Sequence, residues 1–583
     1  MSADRIGSTS ESQAGNREQA ENWKIAAWTV LGLTAILFFV RLGSRALWSS
    51  EYRWAEIARE MIRTGNYFWP TMDGRLYYDK PLGSYWLVVA STWITGGMNE
   101  AAARLPCAIA GLLAVALLIL LVRRLYDLRT AVLAGFILAT SFSFVFFSRT
   151  ASADVETITG ELAALLLFFR NERKPDGWGV VGLWLVMAVT SQMKGLLGFV
   201  LPIMVIGSYA TLCDGWTEFG RGFLEGSPGS RVRWVAERNR WLFNWHTPVA
   251  IALALAVYLT PFKISQEMMR SDAGLYMVFR ENVIRFFRPF DHRGPIYIYF
   301  YVVFALMAPW SLMLPAALAH THHRRHVGLP EHARADRFLL IFFWSTLIFF
   351  TLSGSRRSYY ILPILPAGAI LVARLLAVQS IRELSAWARR LFVAGYAIFA
   401  LVILFGFVVM FPPSWIFHGA LAKLPDAPGR VLFGIFWIIS VASVICALLR
   451  LRPARMAFSL ALGTYLAMIY IFLVLIPASD AWRPEKPFGH AIVKRLGRDT
   501  PGLALYKTQE ALFYINPPKP VPEYVREKDL LQAVRKGKVK WIIVRRKDLA
   551  SVGLPIRVVM QEDSYPWENR RDLGNKVVLA EIL

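Results

Sequence analysis

The chain has 583 residues, 55% of them hydrophobic, and carries 65 Lys and Arg against 41 Asp and Glu. Long apolar runs recur from residue 24 to 477, which excludes a soluble protein and points to a polytopic helical membrane protein. The net charge of +24 does not imply a nucleic-acid partner, because the basic residues fall in short loops, as membrane topology demands, and no Lys/Arg-rich soluble domain accompanies them.

Residues 1–22 are polar and read as a disordered cytoplasmic tail. The apolar run that follows has no small-residue cleavage site and reads as a retained span. Residues 44–101 then form a first outer loop, too polar to cross a bilayer. It holds Glu51, Arg53, Glu56, Arg59, Glu60, Asp73, Asp79 and Lys80 beside Trp48, Trp54, Tyr67, Trp69, Tyr77 and Tyr78, aromatics that favour the membrane–water boundary. Trp54, Ile57, Ala58 and Met61 recur at helical spacing, which predicts an amphipathic helix lying on the bilayer. The run 82–97 is short and broken by Gly83, Gly96 and Gly97, and reads as a juxtamembrane helix.

About thirteen spans are expected, at 23–42, 102–122, 130–147, 152–169, 178–192, 195–212, 247–262, 296–318, 337–353, 359–377, 390–411, 431–449 and 456–477. With the N-terminus in the cytoplasm, every strongly basic short loop lies inside, as the positive-inside rule asks. The outer face then collects 43–101, 149–154, 193–194, 263–295, 353–358, 412–430 and the C-terminal segment. Cys107, Cys213 and Cys446 are far apart and lack metal-ligand spacing. From about residue 478 the composition changes. Short strands at Leu503–Tyr506, Val539–Val544, Ile556–Met560 and Val577–Ile582, with a helix over Arg526–Lys536, predict an α/β domain spanning 478–583 on the outer face.

Ionisable groups at membrane depth point to function. Four clusters qualify: Ser50–Arg53; Arg149 and Asp154, with Glu156 and Glu161 further along; Tyr78–Pro81 with Lys194; and Glu281, Arg285, His292 and Arg293 with Arg356–Tyr360. One carboxylate suffices to orient or deprotonate an acceptor, and several Arg and Lys suit a phosphate leaving group. Arg149 reads equally as a snorkelling span end, and Glu60 as a solvated helix face. His320, His322, His323 and His326 fall in a basic loop and read as solvated.

Trp48–Met61, Tyr77–Pro81, Met193-Lys194-Gly195, His292–Pro295 with Pro309-Trp310, and Ser353–Pro363 resemble, in order, the outer-loop motifs of the GT-C membrane glycosyltransferases. The branch resembled is that of the bacterial relatives of protein O-mannosyltransferases, including the aminoarabinose transferase of lipid A. The resemblance covers residues 24–380 well. It implies a transmembrane catalytic domain over 23–477 and an inverting transfer from a polyprenyl-phosphate-linked sugar to a lipid, glycan or protein acceptor. That transfer would occur on the outer face of a bacterial cytoplasmic membrane. It further implies Glu51 and Asp154 as catalytic residues, with Lys80, Arg293, Arg356, Tyr360 and Lys194 at the donor phosphate. Arg53, Asp79 and His292 would support them. No resident cofactor is implied with certainty, and a divalent metal is left open. The family's usual Asp-Glu pair is Ser50-Glu51 here. A flippase for a lipid-linked saccharide is the rival class, but its charges should lie near mid-membrane among paired repeats. A non-catalytic relative is the third reading.

Overall fold

The computed structural model describes residues 3–583 except 49, 173–176, 215–218, 220–222, 240–243, 328–329, 407–426, 451–452, 479, 481–482, 510–511, 564–567 and 569. Helix α1 spans Ala3–Phe39, so the polar stretch expected as a tail has helical backbone from Ala3. Its Gln, Ala, Arg and Glu residues are good helix formers. There follow α2 (Glu51–Thr64), a hairpin of β1 (Thr71–Met72) and β2 (Arg75–Leu76), α3 (Gly83–Thr95), α4 (Glu100–Leu125), α5 (Leu128–Ala139) and α6 (Phe142–Ser148). Next come α7 (Asp154–Glu172), α8 (Gly177–Lys194) and α9 (Leu197–Leu212). Later helices include His246–Met269, Ile298–Leu306, Leu314–Val327, Pro330–Leu352, Leu365–Leu376, Ala386–Leu404, Ala427–Arg450 and Pro453–Tyr470.

All thirteen expected spans carry helix, yet the expected count is not reproduced. Among the described residues eight helices are long and apolar enough to cross a membrane, or up to ten if two bent pairs each count once. The reason is local. α7 contains Asp154, Glu156 and Glu161, α8 ends in Gln192 and Lys194, and α9 has 16 residues. Helix starts follow the sequence: Asn99 accepts from the Ala102 amide at 2.9 Å and Asp127 from the Thr130 amide at 2.8 Å. The helices bury one continuous core in which Phe38, Leu118, Ile137, Leu162, Trp310, Phe338 and Ile370 meet.

The platform over 44–101 differs from the expectation in one respect. Trp54, Ile57, Ala58 and Met61 do share one face of α2, but that face packs on Leu82, Tyr85 and Val88 of the α3 region and on Ala103 of α4, not on lipid. Glu56 and Glu60 are buried too: Glu56 pairs with Arg59, which reaches the C-terminal domain, and Glu60 accepts from the Thr71 hydroxyl and the Gly74 amide of the hairpin. In that domain the five strands run in the order β4 (Glu523–Tyr524), β3 (Leu503–Tyr506), β5 (Trp541–Arg545), β7 (Val577–Ile582), β6 (Ile556–Gln561). β3 lies parallel to both β4 and β5, and β7 runs antiparallel to its neighbours. The loop from Leu512 to Glu523 docks on α2 and the hairpin. Arg59 donates to the Phe513 carbonyl at 2.8 Å, Arg63 to Pro517 at 3.0 Å, and the Val521 amide to Asp73 Oδ1 at 2.6 Å. Asp73 and Gly74, with φ of 55° and 71°, form the two-residue hairpin turn that asks for left-handed residues.

One buried ion pair joins the platform to the bundle. Glu51 is fully buried. Its Oε1 accepts from Arg104 Nε at 2.8 Å and the Ala151 amide at 2.9 Å, and its Oε2 from Arg104 Nη2 at 2.8 Å and the Trp48 amide at 2.9 Å. Arg104 also donates to the carbonyls of Leu42, Arg45 and Ala46. Arg149 does the same for Leu37, Phe38, Val40 and Arg41, the orphan carbonyls at the end of α1. Burial raises the Glu51 carboxyl's pKa, Arg104 pulls it down further, and the net value lies below the usual carboxylate range.

Two outcomes follow for the folded protein. Arg104→Ala leaves Glu51 charged and uncompensated, so it should lose about 3–5 kcal/mol of stability, read as a lower unfolding midpoint of the purified chain in detergent. Asp73 is pushed up to about 6, because burial outweighs the Val521 amide. A carboxyl raised in the folded state contributes most below its unfolded pKa, and that contribution disappears as pH rises through about 6. Between pH 4 and 6.5 the wild type should therefore lose up to about 3 kcal/mol more than Asp73→Asn, and equal losses would show that Asp73 does not titrate there.

Candidate active site

Between the platform, the start of α7, the end of α8 and the segments 277–292 and 349–360 lies a cavity of about 700 Å³. Its walls carry the basic side chains Arg53, Lys80, Lys194, Arg280, Arg285 and Arg357, and the carboxylates Asp79, Asp154, Glu281 and Asp291. Trp48, Trp54, Tyr77, Tyr85, Phe146, Phe147, Phe286, Phe290, Phe349, Tyr359 and Tyr360 supply an aromatic lining.

Asp154 opens α7, where a carboxylate meets the positive end of the helix dipole. Lys194 closes α8 and forms an ion pair with Asp154 Oδ1. Its ammonium also lies 5.6 Å from the centre of the Tyr360 ring. Gly195 makes the turn after it, with φ of 94°. A Cβ there would come within 2.7 Å of Asn282 Oδ1, the atom that accepts the Leu196 amide at 3.0 Å. Glycine in Met193-Lys194-Gly195 thus lets the segment carrying Glu281 and Arg285 approach the end of α8.

On the platform side, Arg53 donates to the Tyr77 hydroxyl at 2.7 Å and lies 3.6 Å from Asp79. Tyr85 donates to Asp79 Oδ1 at 3.0 Å. Lys80 donates to the Asp79 carbonyl at 2.9 Å, and its nearest carboxylate oxygen is 3.9 Å away. Burial lowers the pKa of the Lys80 ammonium, and Asp79 only partly restores it. On the far wall, Arg285 is held by Glu281 and by both oxygens of Asp291, whose Oδ2 also lies 3.1 Å from His292 Nε2. Burial, with Arg357 nearby, depresses the His292 imidazole's pKa. Arg357 donates to the Tyr359 hydroxyl at 2.9 Å and has no carboxylate within 4 Å among the described residues. Lys80 and Arg357 are thus the least neutralised cations of the cavity, placed to meet an anion.

Asp154, Lys80, Lys194, Tyr360, Arg53, Asp79 and His292 come together as expected. Three residues require correction. Glu51 does not line the cavity; all four of its acceptor positions are filled by the Arg104 fork and two amides, which leaves none for a proton donor. Arg293 is exposed and turned to the Pro289 carbonyl at 2.8 and 3.0 Å. Arg356 is turned to the carbonyls of Thr351 and Gly294. Arg357 lies in extended backbone, where successive side chains face opposite ways, so it enters the cavity where its neighbour does not. Arg280 and Arg285 also belong to the lining; their sequence signal was only a basic cluster. His320, expected in a solvated loop, lies on the helix Leu314–Val327 and is buried. No group of three metal-ligating side chains exists among the described residues.

A family model described as dolichyl-phosphate-mannose-protein mannosyltransferase matches residues 79–219. The chain is 27% identical over 360 residues to an undecaprenyl phosphate-alpha-4-amino-4-deoxy-L-arabinose arabinosyl transferase of Edwardsiella ictaluri, covering 60% of this chain and 59% of that protein. With the protein of the same name from Pseudomonas paraeruginosa it shares 28% identity over 391 residues, 65% of each. The match therefore spans well under the full length of these relatives. The crystal structure of ArnT from Cupriavidus metallidurans bound to undecaprenyl phosphate superposes with a TM-score of 0.71 at 19% identity, covering 96% of this chain and 98% of that one. The apo structure of the same protein gives a TM-score of 0.68. The chain thus has the GT-C fold of that aminoarabinose transferase structure, and its sequence resembles the bacterial branch of protein O-mannosyltransferase relatives to which the motifs of its outer loops pointed.

Proposed function

We propose that the chain is a glycosyltransferase that takes a sugar, a pentose or hexose, from a polyprenyl-phosphate donor. The transfer would take place on the outer face of the bacterial cytoplasmic membrane. The observation that carries this reading is the cavity itself. It places a carboxylate at a helix start, Asp154, across from the under-neutralised cations Lys80 and Arg357, at the rim of an apolar bundle. A polyprenyl chain would lie between helices while its phosphate sits among Lys80, Arg285 and Arg357, cations suited to hold a phosphodiester.

The acceptor's hydroxyl or amine would enter beside Asp154. Lys194 holds that carboxylate in place, and Asp154 Oδ2 takes the acceptor proton as the nucleophile forms its bond to the anomeric carbon. The bond between that carbon and the phosphate oxygen breaks, and its electron pair leaves on polyprenyl phosphate. The cations that bind the ground-state phosphate gain strength as its charge grows. Attack opposite the leaving group inverts the anomeric centre. Glu51 acts here as a positioning residue, since it fixes Ala151 three residues before Asp154. Arg293 and Arg356 keep structural roles. The charges gather at one rim of the bundle, which favours transfer over transport.

Single-turnover transfer from a defined polyprenyl-phosphate pentose separates these roles. Asp154→Asn should cut the rate about 10²–10⁴-fold at unchanged donor affinity. Glu51→Gln should lower the yield and unfolding midpoint but keep most turnover per folded molecule. A fully active Asp154→Asn would remove Asp154 from the chemistry, and a folded but inactive Glu51→Gln would return Glu51 to it.

A further inference from the structure

A second basic site lies on the other side of the cavity wall. A shallow pocket of about 20 Å³ opens where α1 ends, lined by Arg41, Arg45, Arg104 and Arg149 together with Phe146 and Thr150. Phe146 and Thr150 also line the large cavity, so the two spaces share a wall. Two of the four guanidiniums are committed to holding the fold. Arg104 is filled by Glu51 and three carbonyls, and Arg149 by four carbonyls.

Arg45 is different. Its side chain is only 11% exposed, yet among the described residues it makes no hydrogen bond. Its nearest carboxylate oxygen is 4.0 Å away, on the Glu51 already bound by Arg104. Arg483, from the linker into the C-terminal domain, does not line the pocket but crowds Arg45 from the Trp48 side. Arg45 and Arg483 lie 5.9 and 5.0 Å from the centre of the Trp48 ring. Nη1 of Arg483 is buried without a partner, and Arg483 has no carboxylate within 4 Å among the described residues. Arg41 uses one nitrogen on the Leu473 carbonyl. Of the nearby acids, Asp480 accepts the Ala46 amide through Oδ1. Burial, then Arg483, pushes the Arg45 pKa down to about 10, as expected for a guanidinium crowded by others. Buried donors and like charges converging on a pocket are costly unless an anion joins them.

We infer that this pocket binds a phosphate-class oxyanion, seated by Arg45 with Arg41 at the mouth, separately from the donor site. About one water-sized space is available at its floor, which fits one phosphate oxygen, with the remaining oxygens at the open rim. The guanidinium forks suit such oxygens. The phosphate can come from a membrane lipid headgroup, since the pocket lies at the end of a membrane helix, or from free phosphate. Occupation would tie the chain that leaves α1 to the segment around Phe472–Pro477.

The test is thermal unfolding of the full chain in a Lys80→Ala background, which disables the proposed donor phosphate site. It is run with inorganic phosphate in detergent, and separately in nanodiscs with or without phosphatidylglycerol. The midpoint should rise in at least one arm. A rise with inorganic phosphate identifies free phosphate, and a rise only with phosphatidylglycerol identifies the headgroup. Either way, Arg45→Gln should weaken the response at least about tenfold in ligand concentration, and Arg45→Lys by less. Arg41→Gln, at the pocket mouth, repeats the test should Arg45→Gln fail to fold. No rise in either arm, or a rise that both Gln variants retain, would overturn the inference. A rise present in the wild type but absent from Lys80→Ala alone would assign the anion to the donor cavity and would equally overturn it.

Discussion

The Glu51–Arg104 pair is the interaction on which the rest of the platform's architecture depends. It is a bidentate charge-assisted contact with essentially no exposure, and it gathers five pieces of chain. Arg104 comes from α4, the carbonyls from the exit of α1, and the Trp48 amide from the turn into α2. Glu51 comes from α2 itself, and the Ala151 amide from the turn into α7. In lipid or at its edge, carbonyls freed at a helix end must find donors inside the protein. Arg104 and Arg149 provide them, and Glu51 balances the first of the two charges. Asp154 and the platform thereby come into fixed relation without a rigid strand or helix linking them.

Much of this was legible in the sequence. A long, charged, aromatic stretch between apolar runs can only be an interfacial platform, and the strands Leu503–Tyr506 and Val577–Ile582 fall where alternation and turn residues predicted them. Lys194-Gly195 between two apolar runs marked a helix end facing a site. What escaped depends on contacts that periodicity does not encode. Arg104 lies inside an apolar helix 53 residues from its partner, so nothing local identified Glu51 as saturated. Arg356 and Arg357 look equivalent in sequence, and only the extended backbone at Arg357 decides which one reaches the cavity. The apolar face of α2 was read as facing lipid because a buried protein face and a lipid face have the same composition. The span count of thirteen is not confirmed for a related reason: α7 and α8 are helices of the bundle, but polar ones at the ends that build the site.

The electrostatics of the cavity suit the anionic lipid donor proposed above. Most of its basic groups are partly satisfied by carboxylates, which fixes their geometry before a ligand arrives and lowers the reorganisation a phosphate would require. Lys80 and Arg357 retain unbalanced charge on opposite walls, and the aromatic lining would offer an apolar surface to the prenyl chain of the proposed donor. In the proposed transfer Asp154, ion-paired with Lys194, would face the acceptor rather than the phosphate. Separation of an acid–base residue from an anion-binding cluster is the arrangement that a displacement at a sugar carbon needs, with nucleophile and leaving group on opposite sides.

The most direct measurement is where the lipid phosphate binds. A polyprenyl phosphate carrying a photoreactive group in its first isoprene unit can be cross-linked to the purified full-length chain and the labelled peptides identified by mass spectrometry. The account predicts labelling of the segments around Lys80, 285–292 and Tyr359–Tyr360, abolished by unlabelled polyprenyl phosphate. Label confined to peripheral helices such as Gly429–Leu449, and unaffected by competitor, would contradict it.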